Sequence, residues 1–274
     1  MSLRLLIVTD HHLGADACTV NRGYAPAWAL ERVLDAIAGA GRHGADALVS
    51  TGDLVDGGTD GEYAFARAVL GVRGGRTAPG PLVSTRPGLE GLPIYLVPGN
   101  HDPREAWIRN LFPETEACDP LDLVWSIDGY RFVHLDLGTS GRAGQLSESS
   151  LATLDDELAR HGSIVLVLHH HPVAVGVPWL DRALPDGIER LWDRIDRGVI
   201  AVFFGHAHAS IDTVVNGVPV MGTRSTCFQF AASEEPSFVM LPLEYRLVTI
   251  DGTSVESTRF RVPLAGPAVS ARAA

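Results

Sequence analysis

Eight of the eleven histidines in this 274-residue chain fall into four tight groups: His11 with His12, His101, His169 to His171, and His206 with His208. His43, His134 and His161 stand outside them. Asp10 precedes the first group, Asn100 and Asp102 bracket His101, and Asp53 and Asp56 share the run Gly52-Asp53-Leu54-Val55-Asp56. Surface histidines scatter, so clustering beside carboxylates and an amide at turn positions points to metal ligation. Carboxylate, amide and imidazole donors without thiolate suit iron, manganese, zinc or cobalt. Asp10, His12, Asp53, Asn100, His170, His206 and His208 are seven candidate ligands. That is more than one ion usually takes from protein, and about right for two ions sharing a bridging carboxylate. Two such ions roughly 3.5–4 Å apart clamp a phosphoryl group and lower the pKa of a shared water. They would also let an acidic protein attract a phosphate anion.

Each group follows a short apolar run. Leu3–Val8 leads into Asp10, Ala47–Ser50 into Gly52-Asp53, and Ile94–Val97 into Gly99-Asn100-His101-Asp102. Ile164–Leu168 leads into His169, and Val199–Phe204 into Gly205-His206. Runs without polar alternation read as strands buried on both faces. Helical patterns over Ala27–Ala40, Glu62–Leu70, Arg104–Leu111, Glu148–Arg160 and Ile188–Arg197 separate them. Alternating strands and helices imply βαβ units and a largely parallel sheet, whose sites form beyond the carboxyl ends of its strands. All five groups would converge on one edge.

After Ala209 the pattern turns to strands alone: Ile211–Val215, Val218–Met221, Tyr245–Ile250 and Val255–Arg261, with hairpin turns at Asn216-Gly217 and Asp251-Gly252. Leu123–Ile127 and Arg131–Leu135 read as a further hairpin. Gly71–Pro93, rich in Gly, Pro and Arg, reads as a loop, and residues 264–274 as a disordered tail. The expectation is a single domain over residues 1–263, with about 210–262 as a strand-rich closing region that could form a cap or a dimer contact.

Composition excludes other classes. With 46% hydrophobic and 20% charged residues the chain is neither disordered nor a coiled coil. Its apolar runs fall far short of the ~18 residues that span a bilayer. The N-terminal stretch lacks the pattern of a secretory signal, and three widely spaced cysteines form no disulfide framework, so a cytoplasmic protein is expected. All 22 basic residues are Arg, which excludes a phosphate-loop lysine, and a net charge of −11 argues against a polynucleotide partner.

The ordered set Asp10-x-His12, Gly52-Asp53-x-x-Asp56, Gly99-Asn100-His101-Asp102, His170-His171-Pro172 and Gly205-His206-x-His208 resembles the calcineurin-like metallophosphoesterases over roughly residues 3–262. It is similar in particular to the bacterial class III cyclic 3',5'-AMP phosphodiesterases. The narrower likeness rests on Leu168-His-His-His-Pro172, Trp179-Leu180-Asp181, Ser225-Thr226-Cys227 and Gln229-Phe230. The resemblance implies a four-layer αββα sandwich of two mixed β-sheets flanked by helices. It implies that Asp10, His12 and His208 hold one metal ion (Fe, Mn or Zn), that Asn100, His170 and His206 hold a second, and that Asp53 bridges them. It places Asn100, His101 and His208 on the substrate phosphate, with His101 protonating the leaving oxygen and Asp102 orienting its ring. The reaction implied is in-line attack of a metal-bound hydroxide on a small phosphodiester, cyclic AMP giving 5'-AMP.

Other readings stay open at this point. His11 could replace His12 as ligand. His169 and His171 flank the expected ligand, and an extended chain would turn one of them away, so a supporting role suits each better. Asp56 and Asp102 could simply stabilise turns. Trp179 could stack on a base or merely pack, and Arg73, Arg76 and Arg86 could reach phosphate or lie in a solvated loop. Another phosphoester substrate, such as a 2',3'-cyclic nucleotide or a glycerophosphodiester, would use the same machinery. A non-catalytic module on the same fold would lack ligands or His101, and none is missing.

Overall fold

The computed structural model describes residues 2–72, 79–116, 118–138, 143–195 and 198–264. The first sheet holds β1 (Leu3–Val8), β2 (Ala47–Ser50), β3 (Leu82–Val83) and β4 (Pro93–Leu96). The second holds β5 (Leu123–Ile127), β6 (Tyr130–His134), β7 (Ile164–Val167), β8 (Val199–Phe204), β9 (Ile211–Val215) and β10 (Val218–Gly222). A two-stranded ribbon follows, β11 (Gln229–Phe230) with β12 (Phe238–Val239), and then β13 (Leu243–Asp251) and β14 (Ser254–Val262) return to the first sheet. Strand orders are β14-β13-β1-β2-β4-β3 and β5-β6-β7-β8-β10-β9. In each sheet the central strands run parallel and the outer ones antiparallel.

Side-chain alternation sets the layers. Along β7, Val165 and Val167 join the core shared with the first sheet, whereas Ile164 and Leu166 join the core under α4 (Glu148–His161). Helices α1 (Pro26–Gly39), α2 (Asp60–Leu70) and α3 (Arg104–Leu111) bury Leu30, Tyr63 and Trp107 in the core of the first sheet. The result is the expected αββα sandwich of two mixed sheets. Two short helices, α5 (Pro178–Asp181) and α6 (Glu189–Trp192), belong to the second core through Leu180 and Leu191.

Three segments differ from expectation. The closing strands mostly extend the two sheets, and only the β11–β12 ribbon lies over the strand ends. The segment read as a loop over Gly71–Pro93 contains β3, an edge strand too short to reveal a period of two. Within the described part of the helix expected over Ile188–Arg197, residues 188–195, the α-helix is a single turn, Glu189–Trp192, and Asp196 and Arg197 lie outside the described residues. Arg73, Arg76 and residues 265–274 of the expected tail lie outside the described residues.

Candidate active site

The ends of β1, β2, β4, β7 and β8 meet where the two sheets face each other. Five of the ten described non-glycine residues with positive φ are candidate ligands: Asp10, His12, Asp53, His206 and His208. Such left-handed backbone costs on the order of 1–3 kcal/mol per residue and persists only where surroundings impose it. Here backbone bonds lock the turns. His11 and His12 N–H both donate to the Asp53 carbonyl, at 2.8 and 3.1 Å, and Gly205 N–H donates to the His169 carbonyl at 3.0 Å. Glycine is required for close approach at two of these turns. A Cβ on Gly99 would stand 2.2 Å from Asp53 Oδ1, and one on Gly205 would stand 2.1 Å from Thr9 Oγ1.

Three imidazoles are fixed in one tautomer. His12 Nδ1 donates to Asp56 Oδ1 (3.0 Å), His169 Nδ1 to the Thr51 carbonyl (2.9 Å) and His208 Nδ1 to the Phe228 carbonyl (2.6 Å). Those acceptors cannot donate, so the neutral form of each ring carries its proton on Nδ1 and turns Nε2 into the site as the atom open to a cation. His12 Nε2 and His208 Nε2 lie 3.2 Å apart, and His208 Nε2 lies 3.3 Å from Asp10 Oδ1. Asp53 Oδ2 stands between, 3.6 Å from His12 Nε2 and 3.3 Å from His169 Nε2. Asn100 Oδ1 is 2.9 Å from both His169 Nε2 and His206 Nδ1.

Three sets could hold cations, each with ligand atoms within 4.8 Å of one another: Asp10, His12 and His208; Asp53, His169 and His206; and, sharing His12 with the first, His12, Asp56 and His101. The chemistry of these donors fits a metal. Burial raises the pKa of Asp10 and Asp53, but neighbouring imidazoles, His208 for the first and His169 for the second, outweigh it and keep both ionised. Burial lowers the pKa of His169, yet Asp53 and Asp10 hold it up to about 9, so these two carboxylates demand positive charge there. His206 Nε2 and both ring nitrogens of His170 are buried without a hydrogen-bond partner among the described residues. Burial, reinforced by neighbouring histidines, pushes the His170 pKa down to about 3, so that ring is neutral.

Six of the seven expected ligands, all but His170, gather at these strand ends, and His169 stands at Asp53 where His170 is expected. Alternation along β7 continues past its end: Val165, Val167 and then His169 face the first sheet, while Leu168 and His170 face the other way. His170 packs near Gly144 instead of on Asp53. His11 is excluded as ligand, since Thr226 Oγ1 (2.6 Å) and Ser50 Oγ (2.9 Å) occupy its two nitrogens.

His101 lines the cleft, and its Nδ1 donates to the Asp56 carbonyl at 2.7 Å, leaving Nε2 without a hydrogen bond among the described residues. Burial opposes its protonation, but Asp53, the Asp56 carbonyl and two nearby carboxylates together raise its pKa. Asp56 therefore does the orienting expected of Asp102. The Asp102 carboxylate instead receives Leu54 N–H (3.0 Å), Gly99 N–H (2.9 Å) and the Tyr63 hydroxyl (3.0 Å), bracing the turns beneath the site. Burial raises its pKa to about 6.

Other residues escaped the sequence reading. Arg104 pairs through both ends of its guanidinium with buried Asp136 and donates to the Gly99 carbonyl (2.6 Å), tying the Asn100 turn to the second sheet. Arg22 lines the cleft on a segment that carried no motif. Ser225 Oγ donates to the Asp10 carbonyl at 2.6 Å, so the Ser225-Thr226-Cys227 piece supports the first turn. Trp179 meets Phe230 edge-on with centroids 4.9 Å apart. Arg86 binds the Val69 carbonyl and Asp35, away from the cleft, and His43 packs on Phe260.

Buried oxygen and nitrogen donors at the strand ends of a double-sheet sandwich define a metal-dependent hydrolase. The chain belongs to the calcineurin-like phosphoesterases, whose family profile matches residues 3–210. It is 33% identical over 236 residues to a cAMP/cGMP dual specificity phosphodiesterase of Mycobacterium tuberculosis, covering 82% of this chain and 67% of that one. It is 30% identical to a 3',5'-cyclic adenosine monophosphate phosphodiesterase of Escherichia coli, covering 83% and 78%. A probable glycerophosphodiester phosphodiesterase of Arcobacter nitrofigilis is also 30% identical, covering 74% and 72%. A dimetal phosphatase from Danio rerio shares the fold, with a TM-score of 0.60 at 15% identity over 95% of this chain and 99% of that one. Among the described residues no helix is long and apolar enough to cross a membrane.

Proposed function

We propose that the protein is a two-metal phosphodiesterase that hydrolyses 3',5'-cyclic nucleotides, converting cyclic AMP to 5'-AMP. The observation that carries this reading is the gathering of three Nε2 atoms, each on a ring pinned through its Nδ1, beside two buried, ionised carboxylates. Asp10, His12 and His208 would hold one cation, Asn100, His169 and His206 the other, and Asp53 would touch both. Two divalent or trivalent ions there, iron, manganese or zinc, would neutralise the substrate phosphate and lower the pKa of a water.

The chain's own groups supply the rest. Asn100, His101 and His208 line the cleft and would contact the phosphate. His101, with its raised pKa and an Nε2 without a hydrogen bond among the described residues, would give its proton to the 3' oxygen as that P–O bond breaks and a water oxygen bonds to phosphorus on the opposite side. Such acid catalysis is worth ~10²–10⁴-fold. The names of the Mycobacterium and Escherichia relatives support the cyclic nucleotide assignment. The Arcobacter relative supports a second reading, a glycerophosphodiester substrate on the same machinery. Three free cysteines suit a reducing cytoplasm.

Incubating Mn²⁺-loaded protein with 3',5'-cyclic AMP and separating products by chromatography tests the assignment. 5'-AMP is expected; 3'-AMP, or no product from protein that readily cleaves a generic diester, would overturn it.

A further inference from the structure

One wall of the cleft does no metal chemistry. It is built from Phe228, Phe230 and Phe238 with Arg22. In a chain without lysine, Arg22 is the one permanent cation among the cleft's lining residues. Its placement is imposed. Asn21 and Tyr24 exchange backbone hydrogen bonds, both 2.8 Å, around a tight turn in which Arg22 takes φ 49°. The guanidinium lies 4.8 Å from the Phe228 centroid and 5.4 Å from that of Phe238. Nη1 donates to Asn21 Oδ1 (2.7 Å) and Asp56 Oδ1 (3.2 Å). The side chain remains 31% exposed and Phe238 40% exposed, so a planar cation backed by aromatic rings is presented at the cleft mouth.

The site fixes what would meet this wall. Asp56 Oδ1 is 3.2 Å from Arg22 and 3.6 Å from His101 Nδ1, so Arg22 stands on the side from which the leaving group departs. A guanidinium backed by one ring stacks readily on a second aromatic plane. A polyol would leave that surface wet. We propose that Arg22 and the Phe228–Phe230–Phe238 wall form a subsite for an aromatic substituent of the phosphoester, the base of a nucleotide, and that Arg22 sets the preference for aromatic over aliphatic substituents. The subsite rests on the phosphodiesterase reading and gives it a substrate preference.

Isothermal titration of Mn²⁺-loaded protein with 5'-AMP and with inorganic phosphate tests it without requiring turnover. Wild-type protein should bind AMP more tightly than phosphate. Arg22→Ala should reduce that preference roughly 10-fold, Phe238→Leu should reduce it in the same direction, and Arg22→Lys, which keeps the charge but not the plane, should not restore it. Equal affinity for AMP and phosphate in the wild type would overturn the subsite. So would an Arg22→Ala variant that weakens both ligands equally, which would mean that Arg22 acts through Asp56, or full rescue by lysine. Failure of wild-type protein to hydrolyse cyclic AMP while these preferences hold would remove only the cyclic nucleotide assignment.

Discussion

His12 and His208 come from turns 196 residues apart, yet their Nε2 atoms lie 3.2 Å from each other. Each ring is pinned through its Nδ1, to Asp56 and to the Phe228 carbonyl respectively, so neither nitrogen can turn aside to a different partner. Two lone pairs aimed at one point repel unless something positive sits between them. The fold holds this arrangement at the expense of left-handed backbone at both residues.

Asp53 is the carboxylate nearest to both sets of ligands. Asp53→Asn keeps the shape but halves its acceptor capacity and removes its charge, so the variant should lose most of both metal equivalents. Metal content of the purified protein, by mass spectrometry, should fall from about two per chain to well under one. Retention of one full equivalent would show that Asp53 serves a single ion.

The triple histidine offers a sharper contrast. His169→Ala should cost one metal equivalent, whereas His170→Ala should keep both and lose stability through a cavity, on the order of 1–3 kcal/mol. Metal analysis and urea unfolding of the two variants check this. The reverse pattern would return the ligand to His170.

This pair also marks the limit of what the residues reveal in order. The five strand ends, and Asp10, His12, Asp53, Asn100, His206 and His208, were legible because each follows a β-forming run and carries a chemically restrictive side chain. The choice among His169, His170 and His171 depends on which face of β7 its last residue presents, and a shift of one position reverses every side chain. The place of Asp102 is hidden for a related reason: adjacency to His101 in sequence says nothing about which group meets the ring, and the Asp56 main-chain carbonyl reaches it from another turn. Arg22 left no trace because its position comes from a two-residue turn and aromatic partners some 200 residues away.

His101 should act on the leaving group. His101→Asn should lower kcat by ~10²–10⁴-fold on a diester with a poor leaving group. The loss should be much smaller on bis(p-nitrophenyl) phosphate, whose nitrophenolate needs no proton. Equal losses on both would assign His101 to phosphate binding alone.

His134, outside the cleft, should make the fold acid-sensitive. It is fully buried with Nε2 unpartnered among the described residues, and burial lowers its pKa to about 4. A histidine kept neutral in the fold takes up a proton on unfolding below its ordinary pKa of about 6.5. Its contribution is therefore intact above pH 6.5 and erodes as the pH falls toward 4. Relative to His134→Val, wild-type protein should lose roughly 2 kcal/mol more between pH 7 and pH 5 in urea unfolding. Parallel pH profiles would show that His134 does not titrate on unfolding.

Whether these strand ends assemble a metal-dependent phosphodiesterase for cyclic nucleotides is decided by kcat/KM of Mn²⁺-reconstituted protein on 3',5'-cyclic AMP against glycerophosphoethanolamine. A clear preference for cyclic AMP is expected, with no turnover of either substrate after chelation. A preference for the glycerophosphodiester would contradict the substrate assignment, and turnover that survives chelation would contradict the metal site itself.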